Sequence, residues 1–413
     1  MIGLVDGNNF FVSCERIFDR SLEGKPVGIL SNNDGCVVSR SNEMKALGIK
    51  MGTPFFELRP NIARLGLVLR SSNFELYGDI SNRVMSVLAE FAPAVEQYSI
   101  DEAFIRPEGV SDYLAFGSKL RSTILKWIGV PCGVGFAPTK TLAKIANHIG
   151  KKLASGVFVM PENTQPILSQ LEVSEVWGVG RRLAPRLHQK GIETAWDLAN
   201  YGDDKLQKSF SIILARTAME LRGTECLTDE HYREQSQSIG VSRSFGKPVT
   251  EFDHLAESVC HYLGRAAEKL RAEGQRAAGA NAYFIYYPEY RPRRLDGGCT
   301  SCTVAFPYPT DDTSVMLSAI TPKLRQIFVG GRRYKKSGVL LWGLESGAVQ
   351  TDLFTKTPVG NSKLFAAIDK INAKFGRGSV APLAEGIEKP WRMKSESRSP
   401  RYTTVWDEIP TAK

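Results

Sequence analysis

Asp6 closes the apolar run Ile2-Gly3-Leu4-Val5, and Asp101 and Glu102 stand side by side in Ser99-Ile100-Asp101-Glu102-Ala103-Phe104, at a bend between two strand-like stretches. A carboxylate at the tip of an apolar strand adds little to packing but is well placed to hold a metal. If the two strands are neighbours in one sheet, the three acids converge into an oxygen cage. Such a cage suits Mg²⁺, which prefers oxygen ligands and completes its shell with water and substrate phosphates. Two ions so held orient the attacking and leaving oxygens of an in-line displacement at phosphorus. Asp6-Gly7-Asn8-Asn9-Phe10-Phe11 opens a helix at the same place, so the backbone around Phe10 can approach a triphosphate closely. Of the two rings, one belongs to the core. The other can lie under a sugar and exclude a 2′-hydroxyl. Arg40 and Lys45, with Lys140 and Lys144 after Pro138-Thr139, are candidate phosphate ligands.

These groups need a scaffold. Hydrophobic patterning predicts a strand over 2–6, a helix through 10–17, a strand over 26–30 ending in the turn Ser31-Asn32-Asn33-Asp34-Gly35, and a helix over 77–91. A hairpin over 95–98 and 103–106 follows, then a helix near 112–128, a strand over 132–136 and a helix over 140–148. The order β-α-…-β-β-α-β predicts an α+β domain with helices on one side of a sheet, and the stretch from about 26 to 70, basic and Gly-punctuated over 37–70, reads as an insertion into it.

Residues 167–233 lack strand signals and read as a small helical module around Val176-Trp177-Gly178-Val179-Gly180-Arg181-Arg182. A Gly-x-Gly hairpin between helices can present backbone N–H groups to a nucleic-acid phosphate, with Gly178, Gly180, Arg181 and Arg182 as contacts. After a polar linker near 224–236 a second β-α-β-β-α-β pattern runs to about 344. Arg243, Arg291, Arg293, Arg294, Arg332, Arg333, Lys335 and Lys336 fall near its strand ends, interleaved with Tyr290 and Tyr334. Basic residues with aromatics between them suit a nucleic-acid backbone; a charged edge that blunts strand pairing is the alternative. From about 347 the chain turns polar, as expected for a tail with short docking elements.

Composition sets the bounds. The 413 residues leave room for about three domains, and a hydrophobic share of 42% is too high for wholesale disorder. The formal net charge of +9 fits a polyanionic partner as well as an ordinary basic protein. No apolar run approaches the roughly 18 residues of a membrane span, and the N-terminus lacks a signal pattern, so a cytoplasmic protein without membrane partners is expected. Seven scattered cysteines read as reduced thiols, and Cys299 with Cys302 lacks the second pair that a structural zinc needs.

Asp6 with its aromatic pair, Ser99-Ile100-Asp101-Glu102-Ala103, and Gly133-Val134-Gly135-Phe136-Ala137-Pro138-Thr139-Lys140-Thr141-Leu142-Ala143-Lys144 together resemble the motifs of the Y-family DNA polymerases, most closely their UmuC branch. Ser31-Asn32-Asn33-Asp34-Gly35-Cys36-Val37, Ser72-Asn73-Phe74-Glu75-Leu76-Tyr77, Ser242-Arg243-Ser244-Phe245-Gly246 and the late Ser399-Pro400-Arg401-Tyr402-Thr403-Thr404 extend the resemblance over nearly the whole chain. It implies a right-hand polymerase, with a ferredoxin-like palm over 1–25 and 71–165 and small fingers over 26–70. A helix-hairpin-helix thumb over 166–233, a DNA-binding little finger over 237–346 and a C-terminal tail over 347–413 complete it.

The resemblance further implies error-prone translesion synthesis in the SOS response to DNA damage in a bacterial cytoplasm, with dNTP and primer-template DNA as substrates and two Mg²⁺ ions as cofactor. Asp6, Asp101 and Glu102, with the Gly7 carbonyl, would be the metal ligands: Asp6 and Asp101 bridging both ions, Glu102 holding the one at the primer 3′-hydroxyl. Phe11 would be the sugar gate, and Phe10, Lys45 and Lys144 would lie on the triphosphate. Lys45 and Asn42 stand where many members carry arginine and tyrosine, so the triphosphate grip differs from other branches. Gln350, Leu353 and Phe354 resemble a sliding-clamp-binding peptide. A processed UmuD-like dimer and a RecA filament are further implied partners. A different two-metal palm enzyme such as a nucleotidyl cyclase, or an inactive DNA-binding paralogue, are the alternatives. The former leaves the helical hairpin and basic third domain unexplained; the latter has no use for three acids facing a polyanion.

Overall fold

The computed structural model describes residues 1–227, 235–288, 298–346 and 361–410. They fall into two compact units: Met1–Ser31 with Gly35–Glu234 and Ser397–Lys413, and Asn32–Asp34 with Gln235–Glu396.

In the first unit, strand β1 (Ile2–Gly7), buried over its first four residues, leads into helix α1 (Phe10–Phe18). The insertion follows: β2 (Val27–Leu30), β3 (Val37–Arg40), the short helices α2 (Asn42–Ala46), α3 (Phe55–Leu58) and α4 (Ile62–Leu65), and β4 (Val68–Ser71). Its strands pair in the order β3-β2-β4. A core of its own, Leu30, Val37, Met44, Leu58 and Leu67, supports this sheet. The chain then returns through α5 (Phe74–Phe91), β5 (Ala94–Gln97), β6 (Glu102–Arg106), α6 (Tyr113–Ile128), β7 (Cys132–Ala137), α7 (Lys140–Gly150) and β8 (Val157–Val159). The five strands pair in the order β5-β6-β1-β7-β8, with β1 antiparallel to both of its neighbours. β8, three residues long, is too short to show a period in the sequence.

Helix α7 lies directly on the sheet because β7 offers it glycine. A Cβ on Gly135, which pairs with Leu4 of β1, would stand 2.1 Å from the Asn147 nitrogen. The Asn147 side chain also donates to the Leu4 carbonyl at 3.3 Å. On its other side α7 meets the helical module: α8 (Gln165–Leu168), α9 (Ala184–His188), α10 (Ala195–Asn200), α11 (Asp203–Ser209) and α12 (Ile212–Leu221). Leu142 and Ile145 of α7 share one buried cluster with Val176, Leu187, Leu198 and Leu214. Glu220 of α12 is wholly buried there. One of its oxygens accepts from the Thr141 nitrogen (2.9 Å) and hydroxyl (2.8 Å), the other from the nitrogens of Cys226 and Leu227 (3.1 Å each). The acid thus satisfies a donor at the open N-terminus of α7, where negative charge is favoured.

The second unit repeats the expected order: β9 (Ser238–Val249), α13 (Phe252–Ala272), β10 (Gln275–Tyr286), β11 (Cys299–Thr310), α14 (Thr313–Ile327) and β12 (Tyr334–Ser346), pairing antiparallel as β11-β10-β12-β9. Leu255, Val259 and Leu263 of α13 pack with Ala280, Ala282, Phe284 and Val339 of the sheet. Tyr334 belongs to this core. It is fully buried and its hydroxyl is engaged with the Val329 backbone, so it is no stacking platform for a base. Helix α15 (Ser362–Phe375), in the stretch expected to be a polar tail, is tied to α13 by the Arg271–Asp369 ion pair (2.6 Å) and by Arg271 over the Phe365 ring.

Replacing Glu220 by alanine strands its buried donors. Loss of folded stability by about 3 kcal/mol is expected, read as a lower urea midpoint of the full chain; an unchanged midpoint would show that the carboxylate is dispensable.

Candidate active site

The register of β1 against β6 places Asp6 directly opposite Glu102. The Gly7 nitrogen donates to the Asp101 carbonyl at 2.9 Å, which brings the third acid to the same strand tip. Ser99 stiffens the bend. Its hydroxyl donates to Asp101 Oδ1 (2.6 Å) and accepts from the nitrogens of Asp101 (3.2 Å) and Glu102 (3.0 Å).

Two ammonium groups stand against these acids. Lys151 Nζ lies 2.6 Å from Asp6 Oδ1, and Lys144 Nζ lies 2.8 Å from Glu102 Oε2. Lys144 is further held over the rings of Tyr98 (4.3 Å) and Trp177 (5.2 Å). Burial pushes the Asp6 carboxyl up to about 6, against the lowering effect of Lys151 and with a further upward contribution from Glu102. Lys140 is different. Its side chain is 1% exposed and paired with Glu96 at 2.5 Å, so it is a core ion pair, not a phosphate ligand. Lys151 was not among the sequence candidates, yet Lys144, His148 and Lys151 follow at helical spacing, which puts them on one face.

The start of α1 separates the two phenylalanines. Asn9 takes the left-handed conformation (φ 49°) before the helix. Phe10 then turns into the core, 3% exposed, so it can meet a phosphate only through its backbone. Phe11 stacks on Tyr77, centroids 4.5 Å apart and planes 14° apart, with Phe74 edge-on at 5.9 Å. Lys45 Nζ donates to Asn9 Oδ1 at 2.6 Å, and Asn9 donates to Asn42 Oδ1 at 3.0 Å. Burial, then the charges of Arg40 and Lys151, pull the Lys45 ammonium below its usual range.

Two cavities meet at Asp6. One, of about 280 Å³, is lined by Gly7, Phe11, Arg40, Lys45 and Asp101; the other, of about 240 Å³, by Glu102, Lys144, His148 and Trp177; Asp6 and Lys151 border both. Arg40 Nε, beside the first, is buried without a hydrogen-bond partner. Among the described residues no three acid, His or Cys side chains converge into a ready metal cluster. The expected cage is thus not closed by side chains alone, and Asp6 and Glu102 are each paired with a lysine. The donors still fit a hard divalent ion that brings water and phosphate oxygens of its own: all are oxygens at one strand tip, and the ammonium groups mark where positive charge belongs.

Gly178 (φ +87°) and Gly180 are exposed on either side of buried Val179, and Arg181 and Arg182 are exposed after them. In the second unit Arg243 and Arg333 are exposed. Arg332 lies over the Tyr286 ring at 4.1 Å and Arg333 over Tyr287 at 5.7 Å, so these tyrosines, rather than Tyr334, accompany the cations. Tyr290, Arg291, Arg293, Arg294 and the peptide Gln350, Leu353 and Phe354 lie outside the described residues. Among the described residues no helix is long and apolar enough to cross a membrane.

The model of the impB/mucB/samB family matches residues 5–148, that of its C-terminal domain 236–353, and the IMS family HHH motif 161–192. A domain of unknown function, DUF4113, matches 362–412. UmuC of Salmonella typhimurium is 41% identical over 420 residues, 99% of both chains, and MucB of Escherichia coli is 37% identical over 100% of this chain and 99% of its own. The Y-family DNA polymerase chimera Dbh-Dpo4-Dbh matches with a TM-score of 0.64 at 23% identity, over 84% of this chain and 100% of that one. The insertion ternary complex of Dbh DNA polymerase gives 0.53 at 22% identity, with the same shares covered. The fold is thus the α+β right-hand fold of the Y-family polymerases, and the chain belongs to the impB/mucB/samB family of UmuC-type proteins.

Proposed function

We propose that this UmuC-type DNA polymerase extends a primer opposite damaged template bases, with the tip of β1 and β6 as its catalytic centre. One observation supports the reading most directly. Asp6 and Glu102 are paired in register on adjacent strands with Asp101 at the same end, in a chain similar to UmuC along its length. On this reading residues 1–25 and 71–165 are the palm, 26–70 the fingers, 166–233 the thumb, 237–346 the little finger and 347–413 the tail.

The primer 3′-hydroxyl attacks the α-phosphate of a dNTP and pyrophosphate leaves. Two bound Mg²⁺ ions would supply the alignment of both oxygens and neutralise developing charge. Asp6 and Asp101 would hold both ions and Glu102 the one at the 3′-hydroxyl, with the Gly7 carbonyl as a further ligand. The cavity beside Phe11 is the nucleotide side. Arg40, Lys45 and Lys151 converge on it, and the unpartnered Arg40 Nε suits a phosphate oxygen. Lys151 is better placed there than Lys144, whose contacts with Glu102, Tyr98 and Trp177 make it a support for the carboxylate. Phe11 would exclude a 2′-hydroxyl by volume alone, since it has no hydroxyl to donate.

Gly178, Gly180, Arg181 and Arg182 would hold one stretch of DNA backbone, and Arg243, Arg332 and Arg333 another. The sliding clamp, at Gln350, Leu353 and Phe354, a UmuD-like dimer and a RecA filament complete the proposed partners in an SOS role.

Asp101→Ala is expected to abolish Mg²⁺-dependent primer extension while primer-template binding, read by fluorescence anisotropy, persists; extension at the parental rate would refute the centre. Lys151→Met removes the charge that opposes burial, so in metal-free protein the Asp6 carboxyl should titrate above about 6. Carboxyl NMR titration checks this, and an unmoved or lower midpoint would contradict the pairing.

A further inference from the structure

The matched domain of unknown function ends on the first unit, behind the ring proposed as the sugar gate. Residues 397–402 run beside the end of β4. The Ser71 nitrogen donates to the Ser397 carbonyl (3.2 Å), the Ser397 nitrogen donates to the Ser71 hydroxyl (3.0 Å), and Ser71 and Arg398 form a parallel bridge. Asn73, the buried residue capping α5, donates to the Ser399 carbonyl (3.2 Å), the Ser399 hydroxyl (2.9 Å) and the Pro400 carbonyl (3.1 Å). Tyr402 stacks on Phe18 of α1, centroids 4.7 Å apart.

Beneath this segment lies Glu15 of α1, 1% exposed. Its Oε1 accepts from the Ser399 hydroxyl at 2.9 Å and from the Tyr77 hydroxyl at 2.7 Å. Burial raises the Glu15 carboxyl, and these two hydrogen bonds hold it back. Tyr77 is itself fully buried, and its ring is the face on which Phe11 stacks. The chain of contacts Ser399–Glu15–Tyr77–Phe11 is therefore continuous, and none of its first three members reaches the nucleotide cavity.

We propose that residues 397–402 are a positioning element of the sugar gate: Ser399 fixes Glu15, Glu15 fixes Tyr77, and Tyr77 sets the plane of Phe11, so the C-terminal segment tunes the choice between deoxyribo- and ribonucleotides. The proposal rests on Phe11 being that gate. Excluding a single hydroxyl by volume demands a ring held to within a fraction of an ångström, and a ring on a loosened support samples positions that admit the larger sugar.

The test is single-nucleotide incorporation by the full-length chain on a primer-template, comparing kcat/KM for a dNTP and its matching rNTP. Phe11→Ala should raise relative rNTP use strongly. Ser399→Ala should raise it by about three- to tenfold, the worth of one ordinary hydrogen bond. The double variant should match Phe11→Ala alone, because Ser399 acts through the ring. A serine with a merely structural role would lower both incorporations together and leave their ratio unchanged, which overturns the proposal while the gate stands. An unchanged ratio in Phe11→Ala overturns the gate and the proposal with it. If Ser399→Ala does not fold, Ser399→Cys, which keeps the volume and weakens the hydrogen bond, gives the same readout.

Discussion

Asp6 and Glu102 face each other at one strand end with Asp101 beside them, and holding the Asp6 charge there against burial and its neighbour is the constraint to which the first unit answers. The pairing of β1 with β6 leaves Asp6 and Glu102 no choice but to face each other, and burial already drives Asp6 up to about 6. Charge must be brought in to keep such a site ionised. It comes from α7 and the turn after it, through Lys144 and Lys151. That helix can reach the acids because Gly135 lets it lie on β7 without a side chain between them. Its N-terminus is in turn held by Glu220 of α12, so the helical module helps to determine where the balancing charges stand. A glycine, a buried glutamate and two lysines act on one electrostatic problem.

The same arrangement separates what is legible in the sequence from what is not. An acid that ends an apolar run, and an acidic pair at a bend, mark strand tips by themselves, so Asp6, Asp101 and Glu102 stand out without a partner being known. Both β-α-β-β-α-β patterns are legible because their strands and helices are long enough to show a period. Lys140 and Lys144 are a different matter. They sit on one helix four residues apart, and only packing decides that the first is sealed against Glu96 while the second faces Glu102. Lys151, Glu220 and Ser99 are missed for a related reason: each acts through a partner that only the folded chain brings close. Tyr334 misleads because basic neighbours look the same in sequence whether the aromatic between them points out or into the core.

The C-terminal stretch shows how far composition can mislead. Low hydrophobicity over its length reads as a tail, since few residues there can contribute a core. The segment from 397 is nevertheless held, by a buried serine, an asparagine cap and one stacked tyrosine whose partners lie more than three hundred residues earlier in the chain. Hydrogen bonds to buried acceptors do here what apolar area does in a helix, and such bonds leave no periodic trace.

On the proposed function, the strand tip formed by Asp6, Asp101 and Glu102 assembles two metal ions once a nucleotide and primer are present. Anomalous diffraction from Mn²⁺ in crystals of the full chain with primer-template and a non-hydrolysable dNTP tests it most directly. Two peaks about 3.5–4 Å apart are expected, both within ligand distance of Asp6 and Asp101 and one of them bound by Glu102. Peaks elsewhere, or a strand tip that stays with its lysine pairs and without metal while nucleotide is bound, would contradict it.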